Sequence, residues 1–181
     1  MNKFEIEIPD GKVAKWVNGV LTLVDEEPQD ITERIKTFKD ACEELGDEHP
    51  LVKEYWAVVN INLDITQSLI AYLKLRIICE ALNKGWKSTF NEHEIRYYPW
   101  AYIYTKEEYK ELDEDEKIKF CVIGRPIYDS NVHGGFSCAN EDFATSYSSS
   151  SGSSRLVFKT RDLVEYCGRQ FIDIWVDFLF R

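Results

Sequence analysis

A helical repeat of apolar residues runs through the first half of the chain. Between Asp30 and Gly46, apolar side chains recur every three or four residues, which predicts an amphipathic helix that ends at Gly46. Pro50 predicts the start of a second, shorter helix, because the first helical turn does not need the N–H that proline lacks. Residues 65–83 are apolar around most of the circumference, which is typical of a central helix. Residues 30–84 are therefore predicted to be helical.

The N-terminal residues show the shorter period of β-strands. Three runs of β-type residues are separated by two turn signals, the runs being 4–8, 13–17 and 20–24. The first turn signal is Pro9-Asp10-Gly11, and the second is Asn18-Gly19. An Asn-Gly pair favours a type I′ turn, because both residues accept positive φ. A small β-meander is predicted over residues 1–25.

Strand and helix patterns alternate in the next part of the chain. Residues 95–104 are rich in β-favouring aromatics, and Pro99 among them indicates an edge strand or a bulge. Thr105 and Glu108 form a capping-box pattern that opens a short, charged helix. Residues 118–123 predict another short strand.

The region from Gly124 to Asp142 is predicted to be irregular, with a turn at Gly134-Gly135. A Ser-rich run at 145–154 precedes a strand-like pattern at 155–159, so we expect a hairpin there. Residues 161–180 follow Thr160 and carry an apolar stripe, which predicts a capped helix that packs against the sheet.

These elements predict an α+β fold, in which small antiparallel sheets pack with about four α-helices. The N-terminal β-meander and the C-terminal amphipathic helix flank the helical part and a mixed part over 95–181. A chain of 181 residues with 44% hydrophobic residues is long enough for one well-packed domain. We therefore expect residues 1–181 to form a single domain.

Charge and cysteine content exclude several classes of function. The net charge of −10 would repel nucleic acids and anionic membranes, so neither is expected as a partner. The start of the chain lacks a signal-peptide pattern, and no apolar run approaches the ~20 residues that span a bilayer. Five widely spaced cysteines are typical of buried thiols in a reducing compartment. We expect a cytoplasmic protein.

The search for catalytic chemistry yields only weak candidates. Cys121, His133 and Cys138 could converge on a metal ion, although their spacing matches no closed zinc motif. Cys138 and His133 are also the only thiol and imidazole close in sequence that could form a nucleophilic pair. No serine-hydrolase elbow or phosphate-binding loop is present. We assign no catalytic residue and no cofactor, and a small hydrolase or metal-dependent enzyme remains an alternative.

Aromatic residues indicate two candidate binding surfaces. Tyr98, Trp100 and Tyr102 would share one strand face, where they form either a sugar or peptide platform or part of the core. The second surface is the segment 136–154, which holds small serine and tyrosine side chains. Phe143 and Tyr147 are its candidate contact residues, and Arg155, which directly follows the segment, is a third.

Four sequence blocks carry a resemblance to a known family, namely Ala81-Leu82-Asn83-Lys84-Gly85-Trp86, Tyr97-Tyr98-Pro99-Trp100, Ser154-Arg155-Leu156-Val157-Phe158-Lys159 and Glu165-Tyr166-Cys167-Gly168-Arg169-Gln170-Phe171. From about residue 35 to residue 180, the chain resembles an uncharacterised family from gut Bacteroidales and their phages or prophages. That family has no established activity, so the resemblance implies no catalytic residue. It implies a role in structure or recognition, with a virion-associated location as one possibility. Cys167 stands where the family usually has alanine.

The segment from Gly152 to Leu156 has a looser similarity to the last strand of C-type-lectin-like display domains, although the long helix that follows does not fit that fold.

Three functional hypotheses result. The first is a non-enzymatic interaction module of bacterial or prophage origin, the second a carbohydrate or cell-surface recognition domain, and the third the enzyme. A protein or a glycan is the expected partner, and the sequence does not define an oligomeric state.

Overall fold

The computed structural model describes residues 7–26, 28–61, 64–89, 94–119, 122–126, 132–137 and 155–181. The chain divides into two compact units, residues 1–34 and residues 35–181, and each is described by itself. Both units contain short antiparallel strands and α-helices, as the sequence predicts, so the α+β class is confirmed. In the ranges given, no helix has the length and apolar character needed to cross a membrane.

The first unit contains a β-hairpin formed by β1 (Lys12–Val17) and β2 (Val20–Asp25). Asn18 and Gly19 join the two strands with φ of 50° and 80°, as the predicted turn requires. A four-residue helix, α1 (Ile31–Arg34), follows. The predicted strand at 4–8 falls mainly on residues outside the described part.

The second unit is organised around one central helix, as its apolar sequence predicts. The helices that precede the sheet are α2 (Phe38–Leu45), α3 (Pro50–Val59) and α4 (Gln67–Leu82). Two further helices end the chain, α7 (Arg161–Gln170) and α8 (Ile172–Phe180). Helices α2, α3, α7 and α8 all contact α4. The last helix was predicted to pack against the sheet, but α8 packs on α4, where the rings of Tyr72 and Phe178 stack at 5.7 Å.

The predicted helix from Asp30 to Gly46 is interrupted before Thr37. Thr37 starts α2 with a capping box, in which Asp40 accepts hydrogen bonds from the backbone N–H groups of Lys36 and Thr37 at 2.9 and 2.8 Å. The carbonyl of Ile35 accepts a hydrogen bond from the hydroxyl of Tyr166, and the carbonyl of Lys36 accepts one from the side-chain amide of Gln170. These carbonyls are therefore bound by α7 instead of by a continuing helix.

A three-stranded antiparallel sheet occupies the later part of the second unit, in the order β3 (Trp100–Thr105), β5 (Val132–Ser137), β4 (Val122–Pro126). Between β3 and β4 lie α5 (Lys106–Glu111) and α6 (Glu114–Lys119), and the predicted capping box of Thr105 and Glu108 is confirmed.

The prediction of an irregular region from Gly124 to Asp142 was wrong for the residues that belong to β4 and β5. Gly135, which was predicted to form a turn, pairs with Tyr102 and Val122 in the sheet. Ladder hydrogen bonds come from the backbone, so the absence of side chains on Gly134-Gly135 does not prevent strand pairing. The strand predicted at 118–123 lies a few residues later, because 118 and 119 belong to α6.

The segment 155–159 was predicted to be a hairpin strand, but it forms only an isolated bridge. Tyr97 and Phe158 exchange two backbone hydrogen bonds of 3.1 and 2.7 Å. Within the segment, Leu156 and Phe158 are fully buried. Trp175 of α8 is almost fully buried as well. The segment is therefore anchored in the core by alternate side chains without being part of a sheet.

Candidate functional site

A pocket of about 530 Å³ lies between the start of α3, the second half of α4 and the segments that follow α4 and precede α7. This volume is within the range of pockets that hold small ligands. All of its lining residues belong to the second unit.

The start of α3 forms the first wall of the pocket. Pro50 occupies the first turn, where its missing N–H has no cost. His49 caps the helix, and its Nδ1 accepts a hydrogen bond from the backbone N–H of Leu51 at 3.3 Å. Because Nδ1 acts as an acceptor, the proton of the neutral imidazole lies on Nε2. His49 can therefore offer an N–H donor to a ligand.

Helix α4 supplies the second wall through Arg76, Cys79, Glu80 and Asn83. Their spacing of three, four and seven residues places them on one face of the helix. One guanidinium nitrogen of Arg76 contacts both carboxylate oxygens of Glu54 at 2.8 Å. The same guanidinium lies 5.8 Å from the centre of the Tyr72 ring. Arg76 is thus held in place between an anion and an aromatic face.

Asn83 attaches the third wall to α4. Its side-chain nitrogen donates to the carbonyl of Val157 at 2.8 Å, and its side-chain oxygen accepts from the N–H of Lys159 at 3.0 Å. A carboxamide carries the same donor and acceptor as a peptide group, so Asn83 binds this segment as a neighbouring strand would. Asn83 is only 8% exposed, and the two bonds bring Arg155 and Val157 to the pocket.

The turn after α4 completes the pocket with Trp86, Lys87 and Ser88. The chain reverses at Lys84 and Gly85, which have φ of 49° and 75°. The hydroxyl of Ser88 then donates to the carboxylate of Glu94 at 2.6 Å. Trp86 is half-buried and is one of the lining residues.

The side chains that line the pocket include more cations than carboxylates. Three cationic side chains line it, Arg76, Lys87 and Arg155, whereas Glu80 is the one carboxylate among the lining residues. The chain as a whole carries a net charge of −10. Lys87 and Arg155 are exposed to solvent.

Cys79 is the thiol of the pocket, and its environment makes it a poor nucleophile. Burial raises the pKa of the Cys79 thiol well above its ordinary value, and its hydrogen bond with the Cys167 thiol raises that pKa further. A thiol needs to ionise before it attacks, so Cys79 stays protonated and unreactive near neutral pH. Within the described ranges, no group of three or more His, Cys, Asp or Glu side chains is placed to hold a metal ion.

The structure brings one of the predicted site residues, Arg155, into the pocket. Tyr98 is half-buried and is not among the lining residues. For Trp100, Tyr102 and His133, only the backbone positions in β3 and β5 are described. The remaining candidates lie outside the described residues, namely Cys121, Cys138, Phe143 and Tyr147.

Comparisons with known proteins do not identify the chain. No family model matches it. No curated protein and no solved structure matches it either. The resemblance to the Bacteroidales family stays a prediction.

The sequence blocks behind that resemblance nevertheless lie close together in the fold. Asn83 of the first block binds the third block, and Tyr97 of the second block pairs with Phe158 of the third. Cys167 of the fourth block contacts Cys79, in the wall of the pocket. The blocks therefore surround one part of the second unit.

Sequence reasoning missed Arg76, Lys87 and His49. A signal for Arg76 was present, because it is a charged residue on a helix that is apolar over most of its circumference. Charges on such a helix mark the side that other helices leave uncovered. No local pattern connects Arg76 with His49 or with Lys87, which reach the pocket from other segments.

Proposed function

We propose that the protein is a non-enzymatic interaction module that binds its partner through a small chemical group held in this pocket. The observation that carries the proposal is the construction of the pocket. Three segments distant in sequence are fixed around it, by the His49 cap, the Glu54 contact to Arg76 and the two hydrogen bonds of Asn83. A site whose walls are fixed before binding loses little entropy when a ligand enters.

The side chains of the pocket support binding more than catalysis. Its thiol, Cys79, is held in the protonated form by burial and by its hydrogen bond with the Cys167 thiol, both of which raise its pKa. A nucleophile or a general base works best with a pKa near the ambient pH, and this thiol is not arranged for that. The cytoplasmic location expected from the sequence is part of the same proposal.

Fragment binding followed by ¹H–¹⁵N NMR tests this proposal. A library of small aromatic, aliphatic and monosaccharide fragments would be added to the labelled protein. We expect several fragments to shift the indole N–H of Trp86 and the side-chain amide of Asn83. The ligand spectra should stay unchanged over a day, since the module performs no reaction.

Two variants on α4 make the test specific. Glu80→Trp places a large ring in the pocket and should abolish the shifts. Leu69→Trp adds the same ring at an exposed position on the same helix that does not line the pocket, so binding should persist. The proposal is wrong if no fragment reaches the pocket or if Glu80→Trp leaves binding intact. Monosaccharide shifts at Tyr98 would support carbohydrate recognition instead, and conversion of a fragment would support an enzyme.

A further inference from the structure

The N-terminal hairpin exposes apolar side chains on its second strand. Among the described residues, its sheet consists of β1 and β2 alone. In β2, Val20 is 64% exposed, Leu21 40% and Leu23 42%. A two-stranded hairpin is marginally stable in water, and it needs a further strand or a helix packed against it for independent stability. The edges of the hairpin are where a further strand can add.

The two edges of the hairpin differ in charge. β1 carries Lys12 and Lys15, whereas β2 has no charged residue from Val20 to Val24. Lysine on an edge strand disfavours pairing, because its charged group resists burial beside another strand. We therefore expect the edge formed by β2 to accept a further strand.

The backbone groups that point to this edge belong to Leu21 and Leu23. The N–H of Glu26 donates to the carbonyl of Gly11 at 2.8 Å, which makes this a hydrogen-bonded position between the two strands. Hydrogen-bonded positions recur at every second residue of an antiparallel pair, so the even-numbered residues of β2 bond to β1. The N–H and C=O groups of Leu21 and Leu23 are therefore directed away from β1.

The sequence of β2 is complementary to itself. From Val20 to Val24 it is Val-Leu-Thr-Leu-Val, which reads the same in both directions. Antiparallel pairing of two copies about Thr22 places Val20 opposite Val24, Leu21 opposite Leu23, and Thr22 opposite its own equivalent. Apolar and Thr–Thr cross-strand pairs are favourable. In this register the outward backbone groups of Leu21 and Leu23 all find partners.

Neighbouring registers are less favourable. A shift by two residues keeps the alternation of hydrogen bonds, but in one direction it places Asp25 opposite Leu21. In the other direction it places Gly19 opposite Leu23, and Gly19 has a φ of 80° in the turn, which is not an extended conformation. A shift by one residue breaks the alternation itself. The palindromic sequence therefore specifies one register.

We propose that β2 pairs with β2 of a second copy of the chain, antiparallel about Thr22, and so joins the two hairpins into one sheet. A two-fold interface uses the same surface of both copies, so the assembly closes at a dimer. Trp16 faces Leu21 in the hairpin, and the pairing adds Leu23 of the second copy to this apolar row. The interface is small, so we expect a Kd of about 10–100 µM. This surface is separate from the pocket, and the inference goes beyond the proposed function.

Analytical ultracentrifugation of the full chain measures the dimerisation. The protein would be studied from about 2 to 300 µM, a range that spans the expected Kd. We expect the average mass to rise with concentration from that of the monomer towards that of the dimer. A monomer at every concentration would overturn the proposal, and so would species that grow beyond the dimer.

Thr22→Glu separates dimerisation from folding of the hairpin. Thr22 lies opposite Lys15 within the hairpin, so the new carboxylate gains an opposite charge there. Across the two-fold axis it faces its own equivalent, which should weaken dimerisation at least about tenfold. Ala14→Glu adds the same charge at an exposed position of β1 and should change the Kd less than about twofold. Amide chemical shifts of β1 would show that both hairpins are intact.

Cross-linking tests the register. Thr22 would form a non-hydrogen-bonded pair with its equivalent, with Cα atoms about 4.5 Å apart, which suits a disulfide. Oxidised glutathione should therefore link two Thr22→Cys chains: the two thiols lose two protons and two electrons as the S–S bond forms, and glutathione leaves in its reduced form. Val17→Cys places a thiol at an exposed position of β1 and should give no more dimer on a non-reducing gel than the wild-type chain.

These measurements also distinguish other occupants of the edge. Dimerisation that is unchanged in Thr22→Glu, or stronger cross-linking of Val17→Cys than of Thr22→Cys, would assign the interface to another surface and overturn the proposal. Slow hydrogen exchange of the Leu21 and Leu23 amides in a chain that stays monomeric would show that the edge is covered within one chain, which also overturns it. Protection of these two amides that increases with protein concentration would support the pairing of β2 with β2.

Discussion

Replacing Asn83 by alanine should destabilise the second unit more than any surface substitution. The change removes the donor to the Val157 carbonyl and the acceptor for the Lys159 N–H, whose bond lengths are 2.8 and 3.0 Å. Each partner left unsatisfied in a buried place costs about 1–3 kcal/mol. Val157 is half-exposed, so water can reach part of the vacated site. We therefore expect a loss of about 2–4 kcal/mol.

Urea unfolding followed by tryptophan fluorescence measures this loss through the transition midpoint. Asn60→Ala is the matched control, because Asn60 is exposed and ends α3 through its backbone N–H. Its effect should stay within about 0.5 kcal/mol. Amide hydrogen exchange adds a local readout, since the Lys159 N–H should lose protection in Asn83→Ala alone.

Asn83→Asp distinguishes the hydrogen bonds from the volume of the side chain. The aspartate keeps an acceptor for Lys159, but it places a charged oxygen against the Val157 carbonyl in a nearly buried site. We expect a loss at pH 7 at least as large as that of alanine. Because burial raises the pKa of such a carboxyl, the loss relative to wild type should shrink as the pH falls and the acid becomes a donor. Equal stability of Asn83→Ala and Asn60→Ala would refute the reasoning.

Three further predictions test the core, a helix cap and the pocket thiol. Trp175→Ala should cost about 3–5 kcal/mol in urea unfolding, because Trp175 is 2% exposed, whereas Trp16→Ala should change stability by less than about 0.5 kcal/mol, because Trp16 is 74% exposed. Burial would raise the pKa of Asp40, but backbone hydrogen bonds from its capping box outweigh that effect and lower it. The stabilisation is then present above the unfolded pKa of about 3.9 and is lost as the pH falls through the lower folded pKa. The cost of Asp40→Ala, about 1 kcal/mol at pH 7 for its lost hydrogen bonds, should therefore shrink as the pH is lowered below 4. Iodoacetamide at pH 8 should leave Cys79 unmodified in the native protein and label it in urea, as judged by peptide mass spectrometry; rapid native labelling would contradict the raised pKa.

Features fixed by neighbouring residues could be predicted from the sequence. The cap at Thr105 depends on Glu108, three residues away, and the start of α3 depends on Pro50 itself. The turn at Asn18-Gly19 requires only residues that accept positive φ. Each of these interactions lies within a few residues, where sequence patterns are informative.

Features fixed by distant residues could not be predicted. The break before Thr37 depends on Tyr166 and Gln170, which follow by more than 130 residues. Segment 155–159 has the alternating sequence pattern of a strand, but the side chain of Asn83 forms the hydrogen bonds that a neighbouring strand would form. The pocket has the same origin, since only Arg155 among its cations had been singled out.

The attachment of Val157 to Asn83 closes a loop of 74 residues. The entropy of closing a flexible loop grows only with the logarithm of its length, so that doubling the length adds about 0.6 kcal/mol. Extra residues inserted at the exposed Asp113, between α5 and α6, should therefore change the stability of the pocket walls very little. The intervening sequence can lengthen or diverge, and so acquire new contacts, while the pocket that its two ends enclose stays the same.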